Sequence, residues 1–209
     1  LTTGRLPTAL GILGRIPLVE PGLATAVGPA LGAQAHDAIL GPIRTWMHRT
    51  LEQITDENVL QRLILRLSQA SLPMYAQILH GPLEYGKDVV ALISRDGEAV
   101  LNMYQVKSGD ITRSSWPKAR EQMEEMFLVS LSKLQVPDKG AVRRRGILVC
   151  NGHATPYVQP VIDGWFAAQL AQNREVDFMH LDSLVQWIEK DRLINEFKAA
   201  LSEVGLQTV

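Results

Sequence analysis

The sequence predicts an α/β protein: a three-layer α/β/α sandwich around a mixed central sheet, preceded by a helical N-terminal extension. Three observations predict it. Residues 88–107 read as two β-branched strands joined by an Asp-Gly turn. From about residue 115 onward, helical and strand patterns alternate, which implies parallel pairing with helices on the sheet faces. Ahead of the hairpin, residues 43–79 carry apolar side chains at helical spacing.

Taken in order, the first 42 residues are interrupted by Pro7, Pro17, Pro21, Pro29 and Pro42. Such a stretch is either a loose arm or a set of short helical pieces. Its apolar content (Leu10, Ile12, Leu13, Ile16, Leu18, Val19) argues against a solvated linker and for an arm that covers a partner subunit or its own domain. Asp56-Glu57 offers a helix cap, and Val59, Leu60, Leu63, Ile64 and Leu67 follow at three- and four-residue steps. Leu72 to Leu79 reads as a further helical piece. Residues 1–75 are thus assigned to the arm and helical extension, and 76–209 to the α/β domain. Asp88–Arg95 and Ala99–Lys107 form the hairpin, and Trp116-Pro117 opens a helix with Met123, Met126, Phe127 and Leu131 on one face. Gly146–Cys150 is a short apolar strand; Thr155 is placed as the N-cap of the next helix with Pro156 at its first position. Val176–His180 reads as a strand and Leu184–Leu201 as helical, in one or two pieces.

Composition sets bounds on function. The 209 residues are 46% hydrophobic and 21% charged, ordinary for one globular domain. The single cysteine, Cys150, sits in an apolar run, which excludes an internal disulfide and a cysteine-based zinc cluster. A reducing, cytoplasmic setting is expected. No apolar run reaches the length of a spanning helix, so no membrane partner is expected. The net charge of −1 argues mildly against a high-affinity non-specific nucleic-acid binder. Residues 105–145, however, hold nine Lys/Arg against five acids. A phosphate-facing side is one reading of this and a solvated mixed-charge surface, especially for Arg143–Arg145, is the other.

The hairpin carries the chemistry. Gln105 and Lys107 are two apart on a strand and share a face, and the turn brings Asp88 back opposite them. A carboxylate, an amide oxygen and an ammonium then converge at the hairpin's open end. Each residue also occurs on solvated sheet edges, and spacing alone does not choose. For phosphodiester hydrolysis the set makes sense. Mg²⁺, with Mn²⁺ as a substitute, takes oxygen ligands. Asp88 would anchor it, and the Gln105 side-chain oxygen and the Val106 backbone carbonyl would complete the protein ligands. Lys107 would orient the attacking water or stabilise the phosphate, and Glu84 would hold a metal-bound water or a second metal. Arg113, Ser114, Ser115 and Lys118 lie at a helix start, where phosphate binding is favoured. His153 and His180 have no partner at metal-ligand spacing and read as structural, as do Trp46, Trp165 and Trp187.

The string from Gly81 to Ala91 and the string Tyr104-Gln105-Val106-Lys107-Ser108-Gly109-Asp110-Ile111 together resemble the PD-(D/E)XK nuclease superfamily, with the closest likeness to the Mrr-like restriction endonuclease branch. There a Glu-x-Gly-x-Asp segment leads into the first core strand and Gln-x-Lys closes the second. The resemblance implies a restriction-endonuclease-like fold, a metal ligand at Asp88, a glutamine in the acidic position at Gln105, a catalytic lysine at Lys107 and an upstream glutamate at Glu84. It further implies DNA cleavage in prokaryotic restriction or anti-phage defence. Gln122 resembles the helix glutamine of RecB-like nucleases, although an exposed helical Gln is the simpler reading. The chain departs from the family pattern at Lys87, where a proline is usual, and at Gln105. Near-neutral charge suggests that affinity comes from a homo-oligomer or a larger defence complex, contacted through the N-terminal arm. Two alternatives remain: a ribonuclease using the same site, and a non-catalytic nucleic-acid-binding or assembly subunit that retains the fold.

Overall fold

The computed structural model describes residues 28–71, 73–79, 86–128 and 142–206, with side chains from residue 40 onward. Two compact units divide at Pro42. Helix α1 (Gly28–Glu52) runs unbroken through Pro42, so the expectation that prolines fragment this part of the chain fails over residues 28–42. Residues 1–27 of the expected arm lie outside the described residues.

In the unit spanning residues 43–209, a five-stranded mixed sheet in the order β1-β2-β3-β4-β5 lies between two helical layers. The strands are β1 (Tyr75–Ile78), β2 (Val89–Arg95), β3 (Glu98–Lys107), β4 (Arg143–Cys150) and β5 (Glu175–Met179). The helices are α2 (Glu57–Ala70), α3 (Trp116–Leu128), α4 (Gln159–Ala171), α5 (Leu181–Lys190) and α6 (Ile194–Glu203). The first three strands pair antiparallel and the last two join in parallel. This is the three-layer α/β/α fold class expected from the sequence.

Strand alternation divides the core. Val89, Ala91, Tyr104, Val106, Ile147 and Val149 face the layer of α2, α5, α6 and the C-terminal half of α1. Val90, Leu92, Leu101, Met103, Leu148 and Cys150 face α3 and α4. In α2 the periodic Leu60, Leu63, Ile64 and Leu67 are buried. Asp56 caps this helix, its side chain accepting from the Asn58 amide at 2.8 Å. The hairpin closes on two residues, Asp96 (φ 54°) and Gly97 (φ 82°), between the paired Arg95 and Glu98. Both are left-handed, as the turn that matches strand twist requires.

Three local expectations are corrected. The segment near Leu79 is strand, not helix. Pro73 blocks helix continuation, and the Met74 amide donates to the Leu92 carbonyl, starting the ladder with β2. The helix expected at Thr155 begins only at Gln159. The Thr155 carbonyl accepts from the Val158 and Gln159 amides in a preceding turn, and Pro160 takes the early helical position. Strand β4 is longer than expected because Arg143 and Arg145 pair across it with Glu98, Glu175 and Asp177. The C-terminal helix comes in two pieces, parted at Arg192 with φ 57°.

Candidate active site

The register Val89↔Tyr104 sets Asp88 opposite Gln105, one step beyond the last paired residue of β2. The Asp88 amide donates to the Tyr104 carbonyl at 2.8 Å, which fixes the start of the strand. Both side chains are buried, Gln105 at 0% exposure and Asp88 at 8%. The Gln105 Nε2 donates to Asp88 Oδ2 at 2.8 Å, and the Val106 amide donates to the same oxygen at 2.6 Å. A carboxylate only accepts, so the Gln105 nitrogen must face it. Gln105 Oε1 is buried without a protein hydrogen-bond partner. A buried acceptor without a protein partner is available to a ligand from outside the chain.

Lys107 ends β3 on the same face as Gln105. Being the last strand residue, its chain can pass the sheet edge. Its Nζ reaches Glu57 Oε2 at 3.3 Å, on the first turn of α2, whose helix covers the other face. The lysine side chain is only 15% exposed, whereas that of Glu57 is 42% exposed. With one partner in solvent, the pair contributes no more than about 1 kcal/mol. Its role is to hold the ammonium in place.

Gly86 brings the chain into this strand. Its φ of +74° favours glycine, and a Cβ there would collide with the backbone carbonyl of Gln122 on α3. Gln122 is half-buried, with its Oε1 buried and unpartnered, which corrects the expectation of an exposed helical glutamine. Lys87, the residue before Asp88, is 2% exposed. Burial, aided by the neighbouring Arg144 and opposed by Glu125, pushes its ammonium down to about 8.

Beyond Lys107, Asn151 organises the edge. Its Oδ1 accepts from the Gly109 amide at 2.7 Å, and its Nδ2 donates to the Leu51 and Ile54 carbonyls at 2.6 and 2.7 Å. The loop leading to Asp56 and Glu57 is thereby tied to the strand end that carries Lys107.

Glu84 lies outside the described residues. Ser115 is engaged within its own turn, its Oγ accepting from the Thr112 amide at 2.9 Å. Arg113 borders a shallow surface pocket with Trp116, Thr155, Tyr157 and Val161, and Lys118 is exposed on α3. Arg143 and Arg145 lie toward the far end of β4, seven and five residues, or about 23 and 17 Å, from the end beside Lys107. They are ion-paired there, so this run does not present a phosphate-facing side next to the site. Cys150 is buried, and burial pushes its thiol up to about 12. Trp46 packs on Phe197 and Trp165 on Trp116, as structural residues should. Sequence reading missed Glu57, because fifty residues separate it from Lys107 and its position after Asp56 already explained it as part of a helix start.

Fold and site together define an α/β/α sandwich protein with an Asp, Gln and Lys set at the end of a β-hairpin. No family model matches the sequence, and no curated protein matches it. Among solved structures, the Cap4 SAVED/CARF-domain receptor of Acinetobacter baumannii with the cyclic trinucleotide 2'3'3'-cAAA aligns over 68% of this chain, at 13% identity and a TM-score of 0.37. The MspJI restriction endonuclease in complex with a 27-mer oligonucleotide aligns over 91% of this chain, at 10% identity and a TM-score of 0.36. The chain spans 35% of the length of the former and 40% of the latter. These matches do not single out the Mrr-like branch. Among the described residues, no helix is long and apolar enough to cross a membrane.

Proposed function

We propose that the chain is a metal-dependent endonuclease that hydrolyses DNA phosphodiester bonds, of the PD-(D/E)XK type and the Mrr-like branch, acting in restriction or anti-phage defence. One observation carries this reading: Asp88 and Gln105 are direct cross-strand partners, with Lys107 on the same face two residues on and its ammonium held by Glu57. A solvated sheet edge would not bury an amide at 0% exposure with an unpartnered oxygen.

The donor set fits a hard divalent cation, Mg²⁺ or Mn²⁺ in its place. The Asp88 carboxylate and Gln105 Oε1 would hold it, with the Val106 carbonyl and Glu84 as further proposed ligands. Bound there, the ion supplies positive charge to the scissile phosphate and acidifies a water. The remaining roles belong to the chain's own groups. The Val106 amide and Gln105 Nε2 fix the plane of the Asp88 carboxylate. Lys107 donates to a phosphate oxygen or to the attacking water, and Glu57 keeps the ammonium at the strand end when no substrate is present. Gln122, Arg113, Ser115 and Lys118 are proposed to contact the nucleic-acid backbone. Assembly into an oligomer or defence complex is proposed to run through the N-terminal arm.

The test is cleavage of supercoiled plasmid and of RNA with Mg²⁺, Mn²⁺ or chelator, in the native chain, Asp88→Ala and Lys107→Ala. Metal-dependent nicking of plasmid that both substitutions abolish is expected. Cleavage of RNA alone would make the chain a ribonuclease. Absence of metal-dependent cleavage on either substrate would overturn the nuclease reading in favour of a binding subunit.

A further inference from the structure

A second cluster of ligating side chains lies further along the same sheet edge. His153 follows β4, His180 lies between β5 and α5, and Asp182 sits in the first turn of α5. One nitrogen of each histidine and one Asp182 carboxylate oxygen lie within 4.8 Å of one another. Asp182 Oδ2 is 3.1 Å from His153 Nε2 and 3.7 Å from His180 Nδ1. In a tetrahedral site with metal–nitrogen distances near 2.0–2.1 Å, neighbouring ligand atoms sit about 3.3 Å apart, so these spacings need little adjustment. His180 Nδ1 is a buried nitrogen without a hydrogen-bond partner, which a cluster closed by hydrogen bonds alone leaves unexplained.

The ligands are held in advance. The His153 amide donates to Asp110 Oδ1 at 2.8 Å and its carbonyl accepts from the Ile111 amide at 2.9 Å. The Leu181 amide donates to the Gly152 carbonyl at 2.9 Å, joining the two histidine-bearing segments. Behind Asp182 stands His48, whose Nε2 is 2.8 Å from Asp182 Oδ1 and whose Nδ1 is 2.9 Å from the Arg44 carbonyl. A ligating carboxylate backed by its own hydrogen-bonded partner is the supporting shell that metal sites use.

We infer that His153, His180 and Asp182 form a zinc site, with His48 positioning the carboxylate. Two imidazoles and one carboxylate suit a borderline first-row cation and not Mg²⁺, which prefers all-oxygen sites and keeps its waters. Three protein ligands leave one position for water or an exogenous donor. Through Asp110 the ion braces the segment just beyond Lys107, and through His48 it braces α1. The site stands independently of the nuclease reading, because none of its residues belongs to the Asp88 cluster.

The experiment uses the full chain without an affinity tag. Bound metal is measured after equilibration with Zn²⁺ in excess Mg²⁺, alongside the visible absorption of the Co²⁺-substituted protein. The native chain is expected to retain about one equivalent of zinc and to give the intense visible bands of tetrahedral Co²⁺. Asp182→Asn and the double variant His153→Gln/His180→Gln should lose both. His48→Gln should weaken affinity by about ten-fold and keep the spectrum. Asp88→Ala should retain the full equivalent, which separates this site from the other cluster. Thermal unfolding in chelator checks that the variants fold. No uptake by the native chain, or uptake unchanged in folded Asp182→Asn and the double variant, overturns the assignment.

Discussion

Replacing Asn151 by alanine tests whether the site's architecture depends on one buried amide. The side chain is 2% exposed and makes three hydrogen bonds of 2.6–2.7 Å. After truncation the Leu51 carbonyl keeps a turn bond from the Ile54 amide, at 3.0 Å. The Ile54 carbonyl loses its partner, while the amide of the exposed Gly109 can turn to water. One stranded buried carbonyl costs about 1–3 kcal/mol. For a unit of this size that corresponds to a fall in Tm of about 2–12 °C. Asn151→Asp keeps the acceptor for Gly109 but aims its second oxygen at two carbonyls. Only the protonated acid can donate to them, so the folded carboxyl is raised. Its contribution is present at low pH and lost as pH rises, and the variant should recover stability relative to the native chain on acidification. Urea unfolding at several pH values measures both. A loss below about 1 kcal/mol in Asn151→Ala with an unchanged m-value, or an Asp variant indifferent to pH, would refute the reasoning.

Gly86→Ala meets both a positive φ and the Gln122 carbonyl and should cost more than about 3 kcal/mol or prevent folding. Gly97→Ala, with positive φ but open space around it, should cost about 1 kcal/mol; thermal melts of the pair separate collision from strain. Glu57→Gln should change stability by less than about 1 kcal/mol yet slow plasmid nicking by about ten-fold, because it frees the Lys107 ammonium; unchanged nicking rates would remove Glu57 from the site. Arg145→Ala removes the partner of Asp177 and Glu175 at the far end of the sheet. It should lower Tm while leaving the salt dependence of DNA binding unchanged. With its thiol pushed up to about 12, Cys150 should resist thiol reagents at pH 8 until the chain unfolds, and rapid stoichiometric labelling of the native protein would contradict its burial.

Local patterns in the sequence carried much of the fold. The Asp96-Gly97 turn, the cap at Asp56 and the spacing of Leu60, Leu63 and Leu67 each act within a few residues, and each was legible. The segment around Tyr75 was not. Its apolar residues fit helix or strand equally in so short a run, and pairing with β2 decided between them. The same distinction applies to the site. Asp88, Gln105 and Lys107 were legible because one hairpin brings them together. Glu57 and the grouping of His48, His153, His180 and Asp182 arise from packing between distant segments, which no linear spacing encodes. The basic run Arg143–Arg145 left two readings open because charge count alone does not reveal that Glu98, Glu175 and Asp177 lie across the neighbouring strands.

Among the described residues, β1 and β5 form the two margins of the sheet, and they are guarded differently. On one side β1 offers only four residues and begins just after Pro73, which has no amide to donate. On the other, β5 carries Glu175 and Asp177, already engaged by arginines of its inner neighbour. A foreign strand would find either too short a template or one whose charges are committed inward. Edge-to-edge pairing of two such sheets is thereby disfavoured at both margins.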